Sequence, residues 1–198
     1  GGLDRGGAYY LAGRKSFDNT AILKVDPEGP VRGDLFWLKS DNKFQQSPEL
    51  AGINLEYVDE NLGTVGASYM TVTDVDLGKG LGLYDNRDGM NIFSVRAQGT
   101  AGVENLFLNF EYVKESGGDQ VEKDASAWTA EASWMFSDLP WTPVVNYRYA
   151  TFSGDKAGTA DDESFDPLFF GVTRGFGTWF QGEVAANYAG PFNSGNNV

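Results

Sequence analysis

Asp161 and Glu163, two residues apart, are the nearest thing in this chain to an acid–base pair for glycosidic chemistry. They lie in "GTADDESF", a Gly, Ala and Asp-rich stretch with little apolar cover, so neither is expected to have the raised pKa of a general acid. The 198 residues include no His and no Cys, which removes disulfides, Cys/His metal sites and every His-dependent nucleophile. An enzyme is therefore not expected. The acids gather in three polar stretches: Asp74, Asp76, Asp85 and Asp88; Glu115, Asp119, Glu122 and Asp124; then Asp155, Asp161, Asp162, Glu163 and Asp166. Carboxylates are Ca2+ ligands, but "DVDLGKG" lacks EF-hand spacing, and "GKGLG" lacks the strand-to-helix setting and the GK[ST] ending of a phosphate loop. No metal or cofactor is expected. A net charge of -13 opposes sequence-independent binding to nucleic acid.

The elements that must position these side chains are strands. Aromatic residues make up 14% of a Gly-rich chain, helical periodicity is nearly absent, and alternation with period two predicts about ten strands. They are Ala8–Arg14, Thr20–Asp26, Val31–Lys39, Leu50–Val58, Thr64–Thr73, Asn91–Gln98, Glu104–Lys114, Ala125–Phe136, Thr142–Phe152 and Thr178–Ala189. The clearest is "AWTAEASWMF", with Trp128, Ala130, Ala132, Trp134 and Phe136 on one face and Thr129, Glu131 and Ser133 on the other.

Short connections, "DPEGP", "DENLG", "GTAG" and "SDLPW", alternate with longer polar ones. A transmembrane β-barrel requires that pattern, short turns on the periplasmic side and long loops outside, whereas a Greek-key sandwich does not. No run of about 18 apolar residues is present to form a membrane helix. Trp128 and Phe136 stand eight residues apart, which at ~3.3 Å per residue and a ~40° tilt spans roughly 20 Å, the distance between two aromatic girdles. If Trp128 and Trp134 face lipid, parity turns Lys24, Asn54, Glu56, Arg96, Asn109, Glu111, Glu131, Asn146, Arg148, Gln181, Glu183 and Asn187 towards a lumen.

The run "ESFDPLFFGVTRGFGTWFQGEVAANY" resembles the alginate export family of bacterial outer-membrane barrels. It has that family's FDPLF-G segment, its Arg-Gly-aromatic-Gly-Thr-Trp element and its Gln-Gly-Glu strand. Upstream, "NYRYATFSGD", Asn146–Asp155, resembles the preceding strand. The resemblance implies a monomeric barrel of about 18 strands that passes an acidic polysaccharide through a polar, arginine-lined conduit in the outer membrane, in contact with lipid and lipopolysaccharide. With about ten strands, residues 1–198 are expected to be one internal segment of such a barrel, truncated at both ends. The implied conduit residues are Arg96, Arg148, Arg174, Lys24, Glu111, Glu131 and Asn146. Loop contacts fall to Phe165, Asp166, Phe169 and Phe170, whose rings either meet sugar or fold inward to anchor the loop; anchoring is the commoner use of apolar loop residues. Arg96 and Arg148 either meet cargo carboxylates or pair with Glu111 and Glu131 and stiffen the wall. The mixed signs of the lining leave a neutral or zwitterionic cargo, a general porin for small solutes, or a soluble carbohydrate-binding β-protein as alternatives.

Overall fold

The computed structural model describes residues 17–40, 46–79, 84–166 and 168. They form one antiparallel sheet of eight strands in which every strand pairs with its neighbours in sequence. In order these are β1 Phe17–Val25, β2 Val31–Ser40, β3 Glu49–Asp59, β4 Gly63–Asp74, β5 Met90–Gly99, β6 Leu106–Gly117, β7 Lys123–Met135 and β8 Val144–Phe152. The meander matches the expected strands from Thr20 to Phe152, with ends shifted by a few residues. Ala8–Arg14 and Thr178–Ala189 lie outside the described residues. Among the described residues the sheet ends at β1 and β8 and does not close on itself. There is no α-helix among the described residues, only a 3-10 turn at Asp85–Arg87, and no helix long and apolar enough to cross a membrane.

Pairing register separates two faces, with shifts only at the strand ends, between Phe17 and Asn19 on β1 and between Glu49 and Leu50 on β3. Ser94, Arg96 and Gln98 lie across from Val113, Glu111 and Asn109, which lie across from Ala127, Thr129 and Glu131. The opposite face carries Leu35, Ile53, Leu55, Val65, Phe93, Phe110, Trp134 and Tyr147, all substantially exposed. A sheet that is dry on one face and polar on the other usually buries the dry one. Here the apolar face is the exposed one, and the buried residues lie on the polar side.

That buried set is local. Leu50, Val72, Met90, Ile92, Val113, Ala125 and Ala127 occupy the inner face at one end of the sheet, and Phe165 and Leu168 cover them from the segment after β8. The connections at this end are those between β2 and β3 and between β4 and β5, then Gly118–Glu122 and the described segment that follows β8. At the other end lie the turns Asp26–Pro30, Glu60–Leu62, Thr100–Asn105 and Phe136–Pro143. Strict alternation of long and short therefore fails once: Gly118–Glu122 is shorter than Phe136–Pro143. The reason is that β6 and β7 continue past their expected ends, and Gly117 and Gly118, at φ 76° and 133°, reverse the chain where other residues would be strained.

Candidate functional site: the polar face and its cap

Beyond the apolar band the outward face turns polar at the loop end. Lys39 pairs with Glu49, Tyr69 and Thr71 donate to Asn91 Oδ1 at 2.7 and 2.8 Å, and Lys114 pairs with Asp124. Lys114 holds the Asp124 carboxyl below the usual range. Residues level with or above this collar stand outside the band that could face hydrocarbon.

The inner face carries an in-register polar row. Asn54 Nδ2 donates to Asp34 Oδ2 at 3.1 Å, Ser94 Oγ to Glu111 Oε1 at 3.2 Å, and Asn146 Nδ2 to Ser133 Oγ at 2.7 Å and to Glu131. Arg148 Nε lies 3.6 Å from Glu131 Oε2 on the adjoining strand. Lys24, exposed on β1, is opposite Asp34. The conduit residues expected from parity, Arg96, Arg148, Lys24, Glu111, Glu131 and Asn146, thus share one face. Arg174, Phe169 and Phe170 lie outside the described residues, as do Gln181, Glu183 and Asn187.

Arg96 departs from its expected partner. Glu111 stands across from it on β6, yet the guanidinium turns the other way, with Nη2 2.6 Å from both Glu56 Oε1 and Asn54 Oδ1 on β3. Gly66 on the intervening β4 explains this, because it lies between Arg96 and Glu56 in register and offers no side chain. A Cβ there would stand 3.1 Å from Arg96 Cζ. Replacing Gly66 by Val is therefore expected to break the bridge and turn Arg96 towards Glu111. A double-mutant cycle on unfolding should show an Arg96–Glu56 coupling of about 1 kcal/mol in the parent and near zero in the Gly66→Val variant.

Above this row the loops close over the inner face and stitch to one another. Gln46 in the β2–β3 connection accepts from the Tyr84 amide at 2.7 Å and donates to the Asp76 carbonyl at 3.1 Å and to Asp85. The 3-10 turn of the β4–β5 connection meets the segment after β8 twice. Asn86 Nδ2 donates to Asp162 Oδ2 at 2.6 Å, and Arg87 grips Asp166 through Nε and Nη2 at 2.5 and 2.7 Å. Lys123 at the start of β7 donates to Asp162 Oδ2 at 2.9 Å. Arg87, Glu115 and Lys123 are 0%, 1% and 2% exposed, although all three are charged residue types. Glu115 Oε2 accepts the Asp166 amide at 2.9 Å.

Burial pushes the Glu115 carboxyl up to about 8, against the partial relief from that amide and the more distant Lys123 and Arg87. Burial also works to raise Asp162, but the Ser164 hydroxyl and the Lys123 ammonium outweigh it and hold that carboxyl below its ordinary value. The Thr159 hydroxyl, chiefly, holds Glu163 below its ordinary value. That is the reverse of what a general acid needs.

In the described loop contacts, Phe165 is buried with its ring 5.8 Å from that of Phe152, the anchoring arrangement, and Asp166 is engaged by Arg87. Composition marked Glu115 and Asp162 only as loop acids, and Arg87, Lys123 and Gln46 not at all. Parity offered a clue for Glu115 and Lys123, which continue the inner faces of β6 and β7 beside Val113 and Ala125. Arg87 sits on an irregular turn, where no periodicity exists to point it inward.

A two-faced antiparallel meander with a hydrogen-bonded polar row and an inward-folded cap defines a strand-built wall protein. The chain belongs to the alginate export family, whose model, described as alginate export, matches residues 13–187. It is a transport family rather than an enzymatic one. No curated protein and no solved structure matches the chain.

Proposed function

We propose that this chain forms an arc of a larger outer-membrane barrel through which a carboxylated polysaccharide leaves the cell. The sheet's two faces carry this reading. The outward face is apolar between Trp128 and Trp134 and turns polar at the Lys114–Asp124 level, as lipid contact requires, whereas the inward face carries Asn109, Glu111, Thr129, Glu131 and Ser133 along the apolar band and becomes apolar under the cap, at Val113, Ala125 and Ala127. An open sheet would leave two unpaired edges in lipid, so further strands of the full-length chain complete the wall around a single monomeric pore. The short turns face the periplasm and the capped end faces out, among lipopolysaccharide.

The described wall bears on selectivity. Arg96 and Arg148 each have a carboxylate within 4 Å, on Glu56 and Glu131, and Arg32 has one on Asp26 at 3.2 Å. Paired in this way, they give the arc no strong preference for anions at rest, and the same pairing favours a general pore for uncharged sugars as the second reading. A planar-bilayer measurement on the full-length protein separates the two. With Arg96 and Arg148 both changed to Gln, the channel reading for an acidic cargo expects a shift away from anions and weaker block by uronate oligomers. Unchanged selectivity with lowered thermal stability assigns both arginines to the wall.

Orientation has its own test. Cysteine in place of exposed Ala157 should react with an impermeant thiol reagent on whole cells, and cysteine in place of exposed Glu60 should react only after the outer membrane is opened. Reversed labelling would turn the barrel over.

A further inference from the structure

Arg87 is a fully buried guanidinium on a loop, a placement that is costly unless the charge is matched with good geometry. Its match is a single carboxylate, gripped fork-on by Nε and Nη2. The Tyr84 ring lies against the guanidinium, 4.2 Å from ring centroid to Cζ. The third nitrogen, Nη1, is buried with no hydrogen-bond partner among the described residues. Buried donors of a purely structural ion pair are ordinarily all satisfied. A bidentate carboxylate grip with one donor left over is the outline of a site for a ligand that has a carboxylate and a further oxygen beside it, as a uronate has in its ring oxygen and hydroxyls.

The two partners belong to separate elements. Arg87 is fixed by the β4–β5 connection, which Gln46 ties to the β2–β3 connection. Asp166 belongs to the segment after β8, which lies over the inner face through Phe165 and is tied to the loops through Asp162. Beyond the Asp166 contact, the segment is held by Asp162, through its backbone pairing with Glu122 and Asp124 and its side-chain bonds to Asn86 and Lys123, and by Phe165, none of which fixes Arg87 itself; release of these ties would uncover the guanidinium on the inner side of the sheet.

We propose that Arg87 is a carboxylate-binding site at the outer mouth of the channel, held closed by Asp166 as an internal mimic of a uronate and taken over by a cargo carboxylate when the segment lifts. The proposal rests on the channel reading above, which it supplies with a subsite and a closing contact. Asp166 and the incoming uronate compete for the same two donors, so weakening the internal ligand must strengthen the external one.

The test uses full-length protein in detergent, with trigalacturonate as probe and its methyl ester as the uncharged control, and binding is followed by calorimetry. Changing Asp166 to Asn should tighten trigalacturonate binding at least tenfold and leave the methyl ester unaffected. Adding Arg87→Gln to that variant should abolish the gain. Phe165→Ala, which loosens the segment without touching either charge, should tighten trigalacturonate binding in the same Arg87-dependent way and serves where the Asp166 variant folds poorly. Unchanged affinity in both single variants, or a gain that survives loss of Arg87, overturns the proposal and leaves a structural ion pair. Because binding is read without a membrane, a protein that binds in this pattern yet passes no current would count against the channel reading alone.

Discussion

Arginine in place of Ala132 should largely abolish assembly of the protein in the outer membrane, while arginine in place of its neighbour Ser133 should be accepted. Ala132 is outward-facing and exposed, and it lies between Leu108 on β6 and Tyr147 on β8, in the middle of the apolar band. A guanidinium at that depth costs roughly 2–4 kcal/mol, a large share of a marginal stability. Ser133 faces the polar row, where its loss removes one hydrogen bond from Asn146 at about 1 kcal/mol and the new charge finds water and Glu131. Comparing the folded, heat-modifiable fraction of the two variants in membranes reads the difference. Equal tolerance would mean that the exposed apolar face does not meet lipid.

The second large effect is on pH. Glu115 has its carboxyl pushed up to about 8 when the cap is closed, from an ordinary 4.5. A closed-state value above the open-state one means that the closed cap binds the proton more tightly. Closure is therefore favoured fully below about pH 4.5 and loses that advantage as pH rises to about 8, by up to tenfold in the closing equilibrium for each pH unit. Asp166, Lys123 and Arg87 face Glu115 from the other elements, Asp166 adding to the rise and Lys123 and Arg87 opposing it. Hydrogen exchange at the Phe165 and Asp166 amides, corrected for intrinsic rates, should accelerate from pH 5 to pH 8. Glu115→Gln keeps a neutral acceptor for the Asp166 amide and should flatten that profile while holding the cap shut. A wild-type profile as flat as the Gln variant's would remove Glu115 from the control of closure.

The strands were the legible part of the sequence because their signal is physical and local. Trp128, Ala130, Ala132 and Trp134 alternate with Thr129, Glu131 and Ser133, and no other element places them on opposite faces. The same parity placed Arg96, Arg148 and Glu111 on one face before any register was known. It could not name the partner of Arg96, which depends on a missing side chain at Gly66 on a strand that only pairing brings between them. The cap was illegible for a different reason. Asp162 and Glu163 sit in a stretch that reads as solvated acid, and their burial comes from Phe165 and Leu168 carrying the segment onto Val113, Ala125 and Ala127, residues distant along the chain. Arg87 became a buried charge only because Asp166 arrives from the far side of β8 to meet it.

The central claim is that the sheet crosses a membrane with its polar face turned to water. Single cysteines along β7, at positions 128 to 134 of the full-length protein in native outer membranes, test it most directly. The account predicts that the Glu131 and Ser133 variants react with a small water-soluble thiol reagent, whereas Trp128, Ala130, Ala132 and Trp134 variants do not. Labelled instead with a fluorophore through a membrane-permeant reagent, those four should be quenched by spin-labelled lipid. Reaction of both sets with the water-soluble reagent, without quenching in either, would contradict the account and return the chain to a soluble β-protein.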